Sequence, residues 1–281
     1  MGAGMANRLL QTGWPVHVHD LDAAKQLVLQ TAGAHVHGSA AEVARASDVV
    51  IVCVIDAVQV QQVMAGSDGL LSGLKAGQTV IMCPTMAPIQ TEGFGKQLQA
   101  IGVAMVDAPM SGGPLRAANG TMSLMLAAPA IVLSAQEALL QTLSDKCVLI
   151  SHRVGDGARV KLVNNLLAGI NLVGACEAMV LAEKMGLDKE IALSLIERSS
   201  GQSWIGSDRL RRVFAADTFV GSHMRLLAKD TKLAMEAAYE AGFDGYLGDL
   251  TAKLFKHACE QGMADMDDSK MLEFIRQARK L

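Results

Sequence analysis

Proline is scarce and confined to the first half of the chain. The six prolines are Pro15, Pro84, Pro88, Pro109, Pro114 and Pro129. Beyond Pro129 the chain carries no helix breaker of that kind, so its two halves are expected to differ in architecture. Cysteine is equally sparse. Cys53, Cys83, Cys147, Cys176 and Cys259 are odd in number and widely spaced, which excludes a disulfide framework or a zinc site and reads as buried free thiols in a reducing compartment. There is no excess of charge: 25 Lys+Arg stand against 28 Asp+Glu, so nucleic acid and anionic membrane surfaces have no electrostatic case as partners. No apolar run reaches about 18 residues without a polar break, so no bilayer span is expected. No basic stretch followed by an apolar one opens the chain, and the expected location is the cytoplasm. What is present is a folding sequence. Hydrophobic residues are 51% and charged residues 19%, which excludes a disordered chain. The 281 residues suit two domains at about 100–200 residues each.

The first half alternates between helix and strand signals. Ala3–Thr12 is helical and stops at Gly13, a good C-terminal breaker. Residues 15–20 form a short strand, Lys25–Ala32 a second helix. Asp48–Val54, Thr79–Cys83 and Val103–Val106 are runs rich in β-branched and apolar residues, the pattern of strands buried on both faces. Helices are expected at 57–65, 88–100 and 134–144, and Thr121–Ala127 and Lys146–Ile150 extend the sheet. Such alternation means βαβ units and a parallel sheet. The second half is helical: Ala158–Met185, Ile191–Arg198, His223–Ala241, Tyr246–Glu260 and Ser269–Arg279. The boundary is placed near residue 153, giving domains 1–153 and 154–281.

The opening Met1-Gly2-Ala3-Gly4 goes straight into a helix. In a dinucleotide-binding sheet a strand and a glycine turn come first, and the helix N-terminus receives the pyrophosphate. The expectation is therefore an α/β Rossmann-like domain whose first strand and leading glycines are missing, the functional protein beginning about ten residues upstream of Met1 with an apolar strand that ends in Gly-x-Gly. Asp20 ends the next strand, about 20 residues past such a fingerprint, where a carboxylate accepts hydrogen bonds from ribose hydroxyls. It would repel a 2′-phosphate, and Leu21-Asp22 offers no arginine, which favours NAD over NADP.

Asp107-Ala-Pro-Met-Ser-Gly-Gly-Pro (107–114) sits at the C-terminal end of a predicted strand, the edge where open parallel sheets bind ligands. Ser111, Gly112 and Gly113 can form a nest for a carboxylate, or a plain turn. Lys161 lies early in the long helix, with Asn164 and Asn165 three and four residues on, hence on its face. A lysine desolvated by apolar surroundings can take the proton of an alcohol during hydride transfer; a lysine reaching out to solvent is the bland alternative. Lys229-Asp230 is either a cofactor contact or a solvated face.

Together, MG at the start, DAPMSGG (107–113), GDGARVKLVNN (155–165) and AKDTKLA (228–234) resemble the β-hydroxyacid dehydrogenase family over essentially the whole chain. That family includes 3-hydroxyisobutyrate dehydrogenase, tartronate semialdehyde reductase and L-threonate dehydrogenase. The resemblance implies a Rossmann-like domain followed by an all-α domain. It implies Lys161 as the catalytic lysine, and Asn165, Ser111, Gly112 and Gly113 against the substrate. It places Gly2, Asp20, Val54, Ile55, Gln59, Thr85 and Lys229 at the cofactor, and no metal. Departures are Pro84, where the pattern has serine before Thr85, and Val54-Ile55, where many members have Leu-Pro. DAVQVQQVMAG (56–66), AANGTMSLM (117–125), SGQSW (200–204) and DDS (267–269) look most like the L-threonate branch, whereas Asn164-Asn165 resembles the 3-hydroxyisobutyrate branch.

The expected activity is NAD-dependent dehydrogenation of a small 3-hydroxyacid or four-carbon sugar acid. Two alternatives stay open: an NADPH-dependent tartronate or succinic semialdehyde reductase of the same family, and a shortened chain that binds little cofactor. Imine reduction is disfavoured, because Lys161 is a base suited to alcohols. The apolar long helix and 16 methionines suggest a homodimer or homotetramer, though a monomer core explains them too.

Overall fold

The computed structural model describes residues 1–277. The chain divides into two compact units, Met1–Lys161 and the remainder from Leu162, taken here in turn.

The first unit opens with α1 (Gly2–Gln11), which buries Met5, Ala6 and Leu9 along one stripe. β1 (His17–Val18) follows, then α2 (Ala23–Thr31), whose first N–H groups are accepted by the Asp22 side chain. β2 (His35–Val36) leads to α3 (Ala40–Ala46), capped by Ser39, and to β3 (Val49–Val52). α4 (Ala57–Met64) is capped by Asp56, and the short α5 (Leu70–Gly73) precedes β4 (Thr79–Met82). α6 (Pro88–Ala100) starts on a proline, the position where a missing N–H costs nothing. β5 (Ala104–Asp107), β6 (Met110–Ser111), α7 (Gly113–Asn119) and β7 (Ser123–Ala127) come next. α8 (Ala130–Ala135), α9 (Glu137–Leu143) and β8 (Lys146–Ser151) complete the unit.

β1 and β2 form a parallel two-stranded sheet by themselves, and among the described residues neither pairs with β3. The larger sheet has the order β3-β4-β5-β7-β6, with β8 on β7. β3, β4 and β5 are parallel. The sheet is not wholly parallel as expected, because β7 runs antiparallel to β5 and β6. The reason is local. Gly112, at φ +135°, turns the chain back after β6, so β7 re-enters from the end at which β5 left.

Alternate residues of the central strands face opposite ways. Ile81, Val106 and Leu126 pack with Met5, Leu9 and Leu140 on one side. Val80, Met82 and Met105 pack with Val60, Met64 and Leu98 on the other. Covering both faces leaves the continuous apolar runs that made these strands legible. Cys147, expected to be buried, is exposed on β8, while Cys83 and Cys176 are buried. β8 pairs with β7 alone and its first four residues face solvent.

The second unit is helical. α10 (Asp156–Lys184) begins in the first unit and continues into the second. By length and composition it could cross a membrane; the same composition suits a core helix, and its Leu172, Val173, Cys176, Met179 and Ala182 line the second unit's core. α11 (Lys189–Ile196), α12 (Trp204–Phe214), α13 (Met224–Glu240) and α14 (Tyr246–Ala258) follow. The helix expected to reach Glu260 passes at Cys259 into a π-helical turn containing Gly262 at φ +85°. α15 (Met271–Gln277) packs Met271, Leu272 and Phe274 onto fully buried Phe255. The part of the last helix expected at Ala278 and Arg279 lies outside the described residues.

Candidate active site

β3, β4 and β5 run in one direction, so Val54, Thr85 and the 107–113 segment follow their C-terminal ends at one sheet edge, where such sheets take ligands. β5 is central, and Asp107, its last residue, pairs with Met82 on one side and Ala127 on the other. Three residues on, β6 carries Met110 and Ser111, with Ser111 opposite Ser123 of β7. Gly112 (φ +135°) and Gly113 (φ +80°) then turn the backbone through left-handed conformations into α7. A side chain at Gly112 would press on the Arg116 side chain at 2.9 Å. The expected loop is therefore a short strand, a two-glycine turn and a helix start.

α10 enters this edge from Gly155, also left-handed at φ +100°. The Asp107 carboxylate accepts N–H from Gly155 at 2.8 Å and from Ala158 at 3.1 Å. Lys161, one turn beyond Gly157, is 7% exposed. Its Nζ donates to the Met110 carbonyl at 2.6 Å. The lysine and the Ser111–Gly113 loop singled out in the sequence are thus adjacent within the first unit. The solvent-reaching alternative for Lys161 is excluded by its burial.

Asn165 lies in the second unit and is 8% exposed. Its Nδ2 donates to Asp230 Oδ2 at 2.5 Å, and its Oδ1 accepts from Asn164 at 3.1 Å. Lys229 Nζ stands 2.8 Å from Asp230 Oδ1, an ion pair without hydrogen-bond alignment. Lys229-Asp230 is therefore not a solvated face: Asp230 is 6% exposed and joins Lys229 to Asn165. The sequence reading assigned Asp230 no role. Its signal was only a carboxylate between Lys229 and Lys232 in a helical stretch.

The remaining positions are more open. Gly2 begins α1, and a side chain there would touch Cys53 at an ordinary 3.4 Å. Asp20 is exposed and accepts N–H from Asp22 at 2.9 Å. Val54 is half-buried and Ile55 exposed. Gln59 Oε1 accepts from Ile55 N at 2.8 Å while Asp56 accepts from Gln59 N at 2.9 Å, a reciprocal arrangement resembling a capping box. Thr85 is half-buried between β4 and α6. Among the described residues no three histidine, cysteine, aspartate or glutamate side chains group to hold a metal ion.

These residue types suit a dinucleotide: an uncapped helix start at Gly2 for phosphate, a carboxylate at Asp20 for hydroxyls, and apolar surface at Val54–Ile55. Comparison with known proteins agrees. Residues 1–151 match the NAD binding domain of 6-phosphogluconate dehydrogenase, and residues 155–275 match the NAD-binding domain of NADP-dependent 3-hydroxyisobutyrate dehydrogenase. An L-threonate dehydrogenase of Cupriavidus necator is 32% identical over 98% of this chain and 93% of its own. The human mitochondrial 3-hydroxyisobutyrate dehydrogenase is 30% identical over 99% of this chain and 84% of its own. A crystal structure of 3-hydroxyisobutyrate dehydrogenase from Salmonella typhimurium superposes with a TM-score of 0.89 at 28% identity, covering 97% of this chain and 95% of that one. The chain belongs to the β-hydroxyacid dehydrogenase family, oxidoreductases that act on hydroxyl groups with a nicotinamide cofactor.

Proposed function

We propose that the chain oxidises a three- to four-carbon 3-hydroxyacid, of the L-threonate or 3-hydroxyisobutyrate type, with NAD as the preferred cofactor. The observation that carries this reading is the buried Lys161 amine, 2.6 Å from the Met110 carbonyl and beside the Ser111-Gly112-Gly113 turn. Ser111 and the N–H groups of the two left-handed glycines hold the substrate carboxylate. Lys161, as the neutral amine, takes the hydroxyl proton at Nζ. Bound NAD supplies the hydride acceptor. Asn165 hydrogen-bonds the substrate through its remaining amide hydrogen, with the amide fixed by Asp230 and Asn164. Gly2, Asp20, Val54, Ile55, Gln59, Thr85 and Lys229 hold the cofactor. Asp20 supports NAD over NADP, since the nearby cation Lys25 is already paired with Asp22 at 3.4 Å.

Absorbance at 340 nm tests this with NAD or NADP and L-threonate or 3-hydroxyisobutyrate. Turnover of at least one acid is expected, with higher kcat/KM for NAD. Lys161→Ala is expected to lower kcat by about 10²–10⁴ while NAD binding, followed by nicotinamide fluorescence, persists. No turnover with either acid, or a nearly normal Lys161→Ala enzyme, would overturn the reading.

A further inference from the structure

Asp107 is 2% exposed and held by ladder partners on both sides at the centre of the sheet. Its carboxylate is not used for solvent or for an ion pair. It receives the N–H of Gly155 at 2.8 Å and of Ala158 at 3.1 Å, at the start of α10. These are N–H groups that a helix leaves without intrahelical partners, and a carboxylate there also meets the positive end of the helix dipole. Burial pushes the Asp107 carboxyl up to about 6, against the pull of its bonds from Ala158, Gly155 and Gly157, and Asp156 raises it further. At pH 7–8 it accepts as a carboxylate.

The other contacts at this helix start are weaker anchors. Arg153–Asp156 and Arg159–Glu92 join arginines that are 72% and 43% exposed, and exposed pairs of this kind contribute about 0–1 kcal/mol. Asp107 reaches α10 from a rigid strand, in the dry interior. The fit is close: a Cβ on Gly157 would lie 3.0 Å from three atoms of the carboxyl group. One turn further along the same helix, Lys161 Nζ meets the carbonyl of Met110, three residues after Asp107. The segment 107–110 and the first turns of α10 are therefore joined at two points.

We propose that Asp107 is a positioning residue for the reaction: by capping α10 from the end of β5, it sets the height and rotation of the helix and so places the Lys161 amine beside the Ser111 loop. This rests on reading Lys161 as the proton acceptor. A misplacement of a catalytic group by about 1 Å can cost on the order of a hundredfold in rate, so the cap acts on kcat rather than on binding.

The test compares Asp107→Ala, Asp107→Asn, Gly157→Ala and Lys161→Ala in the full-length chain. For each, kcat, substrate KM, NAD affinity by nicotinamide fluorescence, and melting temperature are measured. Asp107→Ala is expected to lose kcat at least about tenfold with KM and NAD affinity little changed. Asp107→Asn retains an acceptor oxygen of the same size and is expected to recover most of kcat. Gly157→Ala keeps the carboxylate but crowds it; the helix preference of alanine offsets part of that strain, so kcat is expected to fall more steeply than the melting temperature. If Asp107→Ala fails to fold, the Asn and Gly157 variants decide. The proposal is overturned by a folded Asp107→Ala enzyme with normal kcat, by an Asn variant no better than the Ala variant, or by a Gly157→Ala enzyme with normal kcat. Lys161→Ala separates the two ideas. An active Lys161→Ala enzyme removes the proton-acceptor reading, whereas an inactive one beside a fully active Asp107→Ala enzyme removes the positioning role alone.

Discussion

At the scale of single residues, the carboxylate that caps α10 is also a cost to the fold. Asp107 titrates at about 6 in the folded chain, above the ordinary 3.8. The folded state therefore binds the proton more tightly than the unfolded one. This group favours folding most at acidic pH, and that contribution is lost as pH rises through about 6. Burial, the leading cause, outweighs the N–H bonds that hold the carboxylate. A shift from 3.8 to about 6 corresponds to a penalty on the order of 3 kcal/mol at pH 8, taking 1.36 kcal/mol per unit. Asp107→Asn carries no such titration. Its melting temperature relative to wild type is expected to rise between pH 4.5 and pH 8, measured by circular dichroism in matched buffers. A constant difference across that range would show that the carboxyl is not shifted. The sequence displayed Asp107 inside DAPMSGG but not this role, because the partners are 48 and 51 residues away and the burial is tertiary. Lys161 was legible earlier, since one helix turn brings Asn165 and the glycine-rich start into the same short stretch.

At the scale of elements, the β1–β2 pair and the residues just after each strand gather four of the chain's 7 histidines. The register His17↔His35 and Val18↔Val36 puts His17, His19, His35 and His37 on one face by the two-residue period of strands. His17 Nδ1 and His37 Nε2 are 2.8 Å apart, so one ring donates to the other, and His17 stacks on His35 at 5.0 Å. Burial, then His37 and His35, lowers the His17 pKa from 6.5, whereas Glu42 stands 3.9 Å from His37 Nδ1. A lowered histidine pKa means stability that is present above 6.5 and lost as pH falls below it. The ladder here includes His35 N to Val16 O and His37 N to Val18 O. Hydrogen exchange of those two amides, corrected for intrinsic rates, is expected to be faster at pH 5.5 than at pH 7.5, and His17→Asn should reduce that difference. Unchanged protection would remove the argument. The histidines also explain why β2 was not foreseen: two residues, one of them polar, carry no strand pattern. α7 was hidden by Gly113-Pro114, which reads as a turn until Gly112 and Gly113 take left-handed φ values. α3 had an overlooked cue, Ser39 three residues before Glu42, an N-cap signature. The long helix and β3, β4 and β5 were legible because burial on both faces, or a proline-free apolar run, writes itself into composition.

At the scale of the whole molecule, cofactor choice is expected to appear in global stability. A ligand that binds the folded chain alone stabilises it by RT ln(1 + [L]/Kd), about 2.7 kcal/mol at a hundred times Kd. For units of this size each kcal/mol moves the melting temperature by roughly 2–4 °C. Family membership establishes that a nicotinamide cofactor is used; in the function proposed above, the choice between NAD and NADP turns on charge at Asp20. Asp20 is exposed after β1, with one carboxylate oxygen engaged by Asp22 N, leaving the other for ribose hydroxyls. A 2′-phosphate there would meet like charge, with Leu21, 94% exposed, offering no compensation. At equal concentrations NAD is therefore expected to raise the melting temperature of the wild-type chain more than NADP. The double variant Asp20→Ala with Leu21→Arg removes the repulsion and supplies a fork-shaped phosphate partner, and should reverse that order. Both positions are solvent-facing, and Asp20→Ala also removes the bond from Asp22 N, worth about 0.5–1.5 kcal/mol, so each cofactor's shift is read against the same protein without cofactor. Equal shifts from NAD and NADP in wild type and variant alike would show that Asp20 does not face the ribose.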